Sequence, residues 1–161
     1  VARVSADNEF TLWVNGNRVS EGSDFHMTVT TPITSFLRAG ENVIGVVVAN
    51  TGNAPNPAGW IGSLELVYKD GSREVVRTDG TWAAAQSVQP GWEQSATKVG
   101  EWRDALVLGA YSMSPWNRGG ESQAFPPLYP SYDVTGNLLT GMGVPEDFTA
   151  SGSLRYAHRR T

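Results

Sequence analysis

The sequence predicts an all-β protein, an antiparallel β-sandwich. Short runs of alternating apolar and polar residues, separated by turn signals, recur through the first two thirds of the chain, and no long helical period competes with them. The 161 residues include 18 glycines and 9 prolines, the residues that punctuate turns. A mass of 17.3 kDa suits one domain of ordinary size. The longest strongly apolar run, Val43 to Ala49, is interrupted by Gly45 and is far shorter than the roughly 20 residues that span a bilayer.

The elements follow in order. Val1 to Ala6 alternates as a strand, with neither the basic start nor the apolar stretch of a signal peptide. Phe10-Thr11-Leu12-Trp13-Val14 alternates into Asn15-Gly16, a strong hairpin signal, and Arg18-Val19 begins the return. Asp24 to Thr30 sets Phe25, Met27 and Val29 against polar neighbours and predicts a further strand, while Thr34 to Gly40 suits a short helical turn closed by glycine. Asn42 to Asn50 is apolar on both faces and is the candidate central strand. Ser63 to Tyr68 and Glu74 to Arg77 flank the Asp70-Gly71 turn as a second hairpin. Thr78 to Trp82 turns the chain, a Gly/Pro/Gln-rich stretch leads to Gly91-Trp92, and alternation returns weakly from Glu101 to Leu108. Beyond Trp116 the texture becomes turn-rich, which places a boundary there: a sandwich over 1–116 and a loop-rich extension over 117–161 that packs on the sandwich or completes it. Leu154 to Thr161 reads as a strand or its beginning, and both ends are expected to be cut from a longer or processed chain.

Composition and motifs exclude several chemistries. A net charge of −4 disfavours a phosphate backbone, so nucleic acid is not an expected partner, and neither is a membrane. Without cysteine there are no disulfides, no thiolate catalysis and no cysteine-bound zinc. A serine hydrolase would need a nucleophile elbow and a paired histidine; there is no Gly-x-Ser-x-Gly, and only His26 and His158 are available. His26 falls on the polar side of its run as a solvated histidine. Adjacent Glu146 and Asp147 would diverge on extended backbone, while Asp70, Asp79 and Asp133 stand in turn sequences where carboxylates cap backbone. No catalytic residue is identified. No cofactor is required, but oxygen ligands suffice for calcium, and Asp7 and Asn8 make a structural calcium the one candidate.

The six tryptophans point elsewhere, because the C–H faces of sugars stack on exposed indoles while amides reach hydroxyls. Trp13 and Trp82 stand in strand context and are expected in or against the core. Trp60, Trp92 and Trp116 stand beside Gly or Pro, where exposure is expected. The segment 50–60 gathers Asn50, Asn53 and Asn56 around Trp60, so the candidate sugar site is Trp60 with these three asparagines, and Trp116 is a second platform. The alternative at this point is a proline-fixed loop whose Trp60 plugs the end of the sandwich.

Val4-Ser5-Ala6-Asp7-Asn8-Glu9-Phe10-Thr11-Leu12-Trp13-Val14-Asn15-Gly16, Leu37 to Ile44, Asn56-Pro57-Ala58-Gly59, Asp70-Gly71-Ser72 and Thr78 to Trp82 occur in this order. As a set they resemble the galactose-binding-domain-like jelly-roll sandwiches attached to glycoside hydrolases, over roughly Ala2 to Trp116. Asp133-Val134-Thr135, Leu138-Leu139, Met142 to Phe148 and Arg155 to Thr161 are similar to a segment of large α-L-rhamnosidase-type glycoside hydrolases, with Glu146 where a second proline is expected. The resemblance implies a noncatalytic carbohydrate-binding or accessory module of a secreted, extracellular or periplasmic protein. Its expected partners are a rhamnose- or galactose-containing polysaccharide and a catalytic domain of the same parent. Two other readings stand beside it: a piece of a rhamnosidase-like enzyme, and a purely structural module that buries Trp60 against another domain.

Overall fold

In a computed structural model, the described residues are 1–51, 59–94, 96 and 100–110, together with the backbone of 137–140 and 148–154. They form two antiparallel sheets. The strands are β1 (Ala2–Asp7), β2 (Glu9–Val14), β3 (Asn17–Gly22), β4 (Val29–Thr31), β5 (Asn42–Ala49), β6 (Gly59–Val67), β7 (Arg73–Arg77), β8 (Ala83–Ala85), β9 (Arg103–Asp104), β10 (Leu106–Ala110), β11 (Asn137–Thr140) and β12 (Phe148–Leu154). One sheet runs β10-β11-β6-β1-β4, with β7 also paired to β6; the other runs β3-β2-β5-β12-β8-β9. The chain passes repeatedly from sheet to sheet, so strands adjacent in sequence mostly face each other across the core. Both sheets include a strand from beyond residue 116.

The core lies where the two inner faces meet. Alternation places Phe10, Leu12 and Val14 of β2 inward beside Val48, Val46 and Ile44 of β5, their registered partners. Ala2, Val4 and Ala6 of β1 and Trp60, Leu64 and Leu66 of β6 supply the opposite wall. Trp60 and Trp82 meet edge to face at 4.9 Å and 77°, the arrangement favoured by ring quadrupoles, and Trp82 Nε1 donates to Arg77 O at 3.0 Å.

The first hairpin closes as expected. Asn15 and Gly16 both adopt positive φ, 50° and 82°, which the tight turn demands and which Asn and Gly tolerate. The second turn is held by Asp70, whose Oδ1 accepts from Ser72 N at 2.8 Å, and the Asp79 carboxylate does the same for Thr81 N at 2.8 Å. Both acids therefore have the backbone-capping role read from their neighbours. The helical turn between β4 and β5 is a 3-10 turn over Thr34–Phe36.

Two expectations need correction. The strand expected over Asp24 to Thr30 is confined to Val29–Thr31, because Asp24 closes a turn first: its Oδ1 accepts from His26 N at 2.8 Å, and its carbonyl accepts from Met27 N at 3.0 Å. Met27, on the apolar side of the expected strand, is 61% exposed. The hairpin strand expected to start at Ser63 instead starts at Gly59, and its first six residues, Gly59 to Leu64, are in register with β1.

β5 is central, flanked by β2 and β12 and buried on both faces apart from Val47 and the strand end. On its outer face Gly45 lies beneath the ring of Trp92, where any Cβ would overlap the indole. The turn carrying Trp92 is tied to the first hairpin, since Gly16 N donates to Glu93 O at 2.9 Å. Fully buried Asn42 organises the approach to β5. Its Oδ1 accepts from Arg38 N and Asn15 Nδ2, both at 2.8 Å, and its Nδ2 donates to Arg38 O and Gly40 O at 2.9 and 3.0 Å. Asn42→Ala would strand several buried polar groups, so it should cost about 2–4 kcal/mol. The same truncation at exposed Asn17 should cost under about 1 kcal/mol; urea unfolding of the two variants measures the contrast.

Candidate functional site

At one end of the sandwich, β1 passes to β2 through Asp7 and Asn8, and β5 leaves its ladder at Ala49. Hydrogen bonds bring these two points together. Asn8 N donates to Ala49 O at 3.1 Å, and Thr51 N donates to Asn8 Oδ1 at 2.7 Å. Asn8 Nδ2 in turn donates to Asp7 Oδ1 at 2.6 Å. The Asn8 amide thus clamps the start of the 50–60 segment to the end of β1, with half-buried Asn50 between Ala49 and exposed Thr51.

Asp7 is 7% exposed, and burial pushes its carboxyl above the ordinary aspartate range, with an opposing pull from the charge of nearby His26. His26 Nδ1 lies 2.7 Å from Asp24 Oδ1, and its ring stacks on Phe25 at 3.9 Å. The expected solvated histidine is therefore half-exposed and anchored. Phe25 O also accepts from Ser5 Oγ at 3.1 Å, which fastens the 24–28 turn over the outer side of β1.

Calcium takes six to eight oxygen ligands. Asp7 and Asn8 stand together as the sequence suggested, and each has an oxygen already accepting a hydrogen bond. No group of three His, Cys, Asp or Glu suited to a metal occurs among the described residues. Any calcium at this pair would draw its remaining oxygens from elsewhere.

The aromatic part of the expected site is corrected. Trp60 was placed in an exposed loop, but it is the second residue of β6 and is 1% exposed. Its register partner Ala6 points inward, and the pairing turns the indole inward as well, against Trp82. A ring in that position presents no face to a sugar. The same burial shows that Trp60 needs no other domain to cover it. Asn53, Asn56 and Trp116 lie outside the described residues, as do His158, Asp133, Glu146 and Asp147. Of the expected sugar ligands, Asn50 is the one the structure places at this end, beside the Asp7-Asn8 pair. Trp92, also expected in the open, is half-buried over Gly45 with Trp102 at 6.2 Å.

A cleft missed by the sequence reading opens next to this junction. It measures about 450 Å³ and is lined by Glu9, Phe10, Thr11, Arg18, Glu21, Gly22, Ser23 and Ala49. Glu9 and Ala49 form the last pair of the β2–β5 ladder, so the cleft begins one residue from the Asn8 clamp.

No family model matches the chain, and no curated protein does. Among solved structures it is similar to the apo form of a lectin from Pleurotus ostreatus, with 29% identity and a TM-score of 0.58. The match covers 78% of this chain and 35% of the lectin chain, so the sequence spans about a third of that protein's length.

Titration tests the Asp7 environment. A carboxyl with a raised folded pKa favours the protonated native state, so its contribution is fully present below the unfolded value of 3.8 and is lost as pH rises through the higher folded value. Asp7→Asn removes this dependence while keeping the Oδ1 acceptor for Asn8. The melting temperature of Asp7→Asn relative to the unaltered protein should therefore climb as pH rises from about 3 to 7, with little difference at the acid end.

Proposed function

We propose that the chain is a noncatalytic carbohydrate-binding module. The observation that supports this best is the likeness to the Pleurotus ostreatus lectin, which extends over 78% of the chain at 29% identity; a lectin is by definition a carbohydrate-binding protein. The polar end of the sandwich suits the role. A rigid two-sheet frame holds half-buried Asn50 and Asn8 at this end, where amide groups can meet sugar hydroxyls, and buried Asp7 supports Asn8 from beneath. In this reading Asn53, Asn56 and Trp116 complete the ligand set, and calcium at Asp7 and Asn8 braces it. Rhamnose- or galactose-containing polysaccharide is the proposed ligand. An accessory position beside a glycoside hydrolase catalytic domain, in a secreted protein, rests on the sequence resemblance alone.

Single shallow sugar sites bind in about the millimolar to micromolar range, because an open face removes little area from water. A glycan array run on the whole chain with and without calcium, followed by tryptophan fluorescence titration, should show a rhamnose- or galactose-containing hit. Asn50→Ala should weaken that hit about tenfold. Trp60→Phe should retain it, since the buried indole acts through packing. Silence across the array from folded protein would overturn the proposal.

A further inference from the structure

We propose that the cleft on the outer side of the β2–β3 hairpin is a binding subsite for a neutral saccharide unit, separate from the Asp7–Asn50 end. The inference rests on the carbohydrate-binding reading and adds a place and a ligand class to it.

The cleft owes its charged wall to an irregularity in β3. Residues three apart on a regular strand face opposite sides of the sheet. The register of β3 shifts, however: Ser20 pairs with Leu12 and Arg18 with Trp13, which leaves Val19 as an extra residue. This bulge returns Arg18 to the side occupied by Glu21, the partner of Thr11, and the two side chains form an ion pair. Without the bulge the pair could not form on one face. Across the cleft stands exposed Glu9, registered with Ala49, and Thr11 lies between them as part of the floor. Gly22, registered with Phe10, closes the far end with backbone alone, since a Cβ there would point inward against the Phe10 ring.

Size and chemistry select the ligand. About 450 Å³ lies within the 300–1,000 Å³ typical of small-molecule clefts. Glu9 accepts hydrogen bonds, Arg18 donates them, and Thr11 does both, which matches the mixed donors and acceptors of vicinal hydroxyls. Ala49 and the Thr11 methyl offer an apolar patch to sugar C–H groups. The lining carries two carboxylates and one guanidinium, and the Arg18–Glu21 pair leaves Glu9 as a single exposed charge, which serves a hydroxyl as an acceptor and offers an ion no matched set of counter-charges. A uronate would meet the Glu9 and Glu21 carboxylates, and an ammonium would meet the Arg18 guanidinium.

The test is an amide NMR titration of the whole chain with methyl β-D-galactoside, methyl α-L-rhamnoside, D-galacturonate and D-galactosamine. A neutral glycoside is expected to shift the amides of Thr11, Glu21, Gly22 and Ala49. Glu9→Gln and Arg18→Gln should each weaken it about tenfold with unchanged melting temperature, as their exposure predicts, whereas Asn50→Ala should leave these shifts in place. Glycan-array binding without perturbation of the cleft amides, or cleft affinity indifferent to both variants, would overturn this subsite while leaving the carbohydrate reading intact. Tighter cleft binding of galacturonate or galactosamine than of either neutral glycoside would overturn the ligand class. Silence in both the titration and the array would remove the carbohydrate reading and the subsite with it.

Discussion

The parity of the β2–β5 ladder is the constraint on which the rest of the structure depends. Phe10, Leu12 and Val14 must share one apolar surface with Val48, Val46 and Ile44, and a slip of β2 by one residue would turn its three core side chains to the outer face. Burial of side chains of this size contributes roughly 1.5–3 kcal/mol each, which outweighs any preference of the residues between them. Glu9, Thr11 and Trp13 therefore have no choice of face. The outer surface of this sheet, including the floor of the cleft, is a consequence of what the core requires.

The same logic explains what could and could not be read from the sequence. The Phe10 to Gly16 hairpin, the double-sided burial of β5 and the Asp70-Gly71 turn were legible because each is a local pattern whose cause lies in adjacent residues. Trp60 was misplaced because Gly59 and the asparagine- and proline-rich run before it read as loop, while its burial is decided by a strand more than fifty residues away. Gly62 makes room beside that strand: a Cβ there would crowd both the Trp60 ring and the Arg3 carbonyl. A glycine beside a tryptophan is thus equally the mark of an exposed loop and of close packing, and sequence spacing alone does not distinguish them. Asp24 misled in the opposite direction, since alternation hid a carboxylate that ends the extended run by capping its own turn.

The outer face of the other sheet shows how polar groups are accommodated near a core. Glu65 is 6% exposed and is flanked by Arg3 at 3.5 Å and Arg73 at 2.9 Å. The amino terminus donates to Glu65 O at 2.8 Å, and Glu65 N donates to Val1 O at 2.8 Å. The chain start is thereby fixed to β6 by backbone and charge together. Removing the Glu65 carboxylate would take this counter-charge from buried Arg3, which costs more than the pair itself contributes. Asp7 stands on the same side of β1, two strand steps beyond Ser5, where its burial is offset in part by His26. β1 thus carries apolar residues into the core on one side and a series of committed polar residues on the other.

The bulge at Val19 is where the two demands on one strand are reconciled. Regular alternation would satisfy the ladder with β2 but would send Arg18 and Glu21 to opposite faces. One extra residue changes the parity midway, so Ser20 remains the partner of Leu12 while Arg18 moves to the side of Trp13. The ion pair that results is exposed, with 55% and 67% of its side chains accessible, and contributes little to stability. Folding has its own use for the extra residue, because Val19 packs against the core beside the strand that carries it. The surface arrangement follows from the same shift: turning Val19 to the core puts a cation and a carboxylate on the side of Glu9, over a floor whose position the core has already determined.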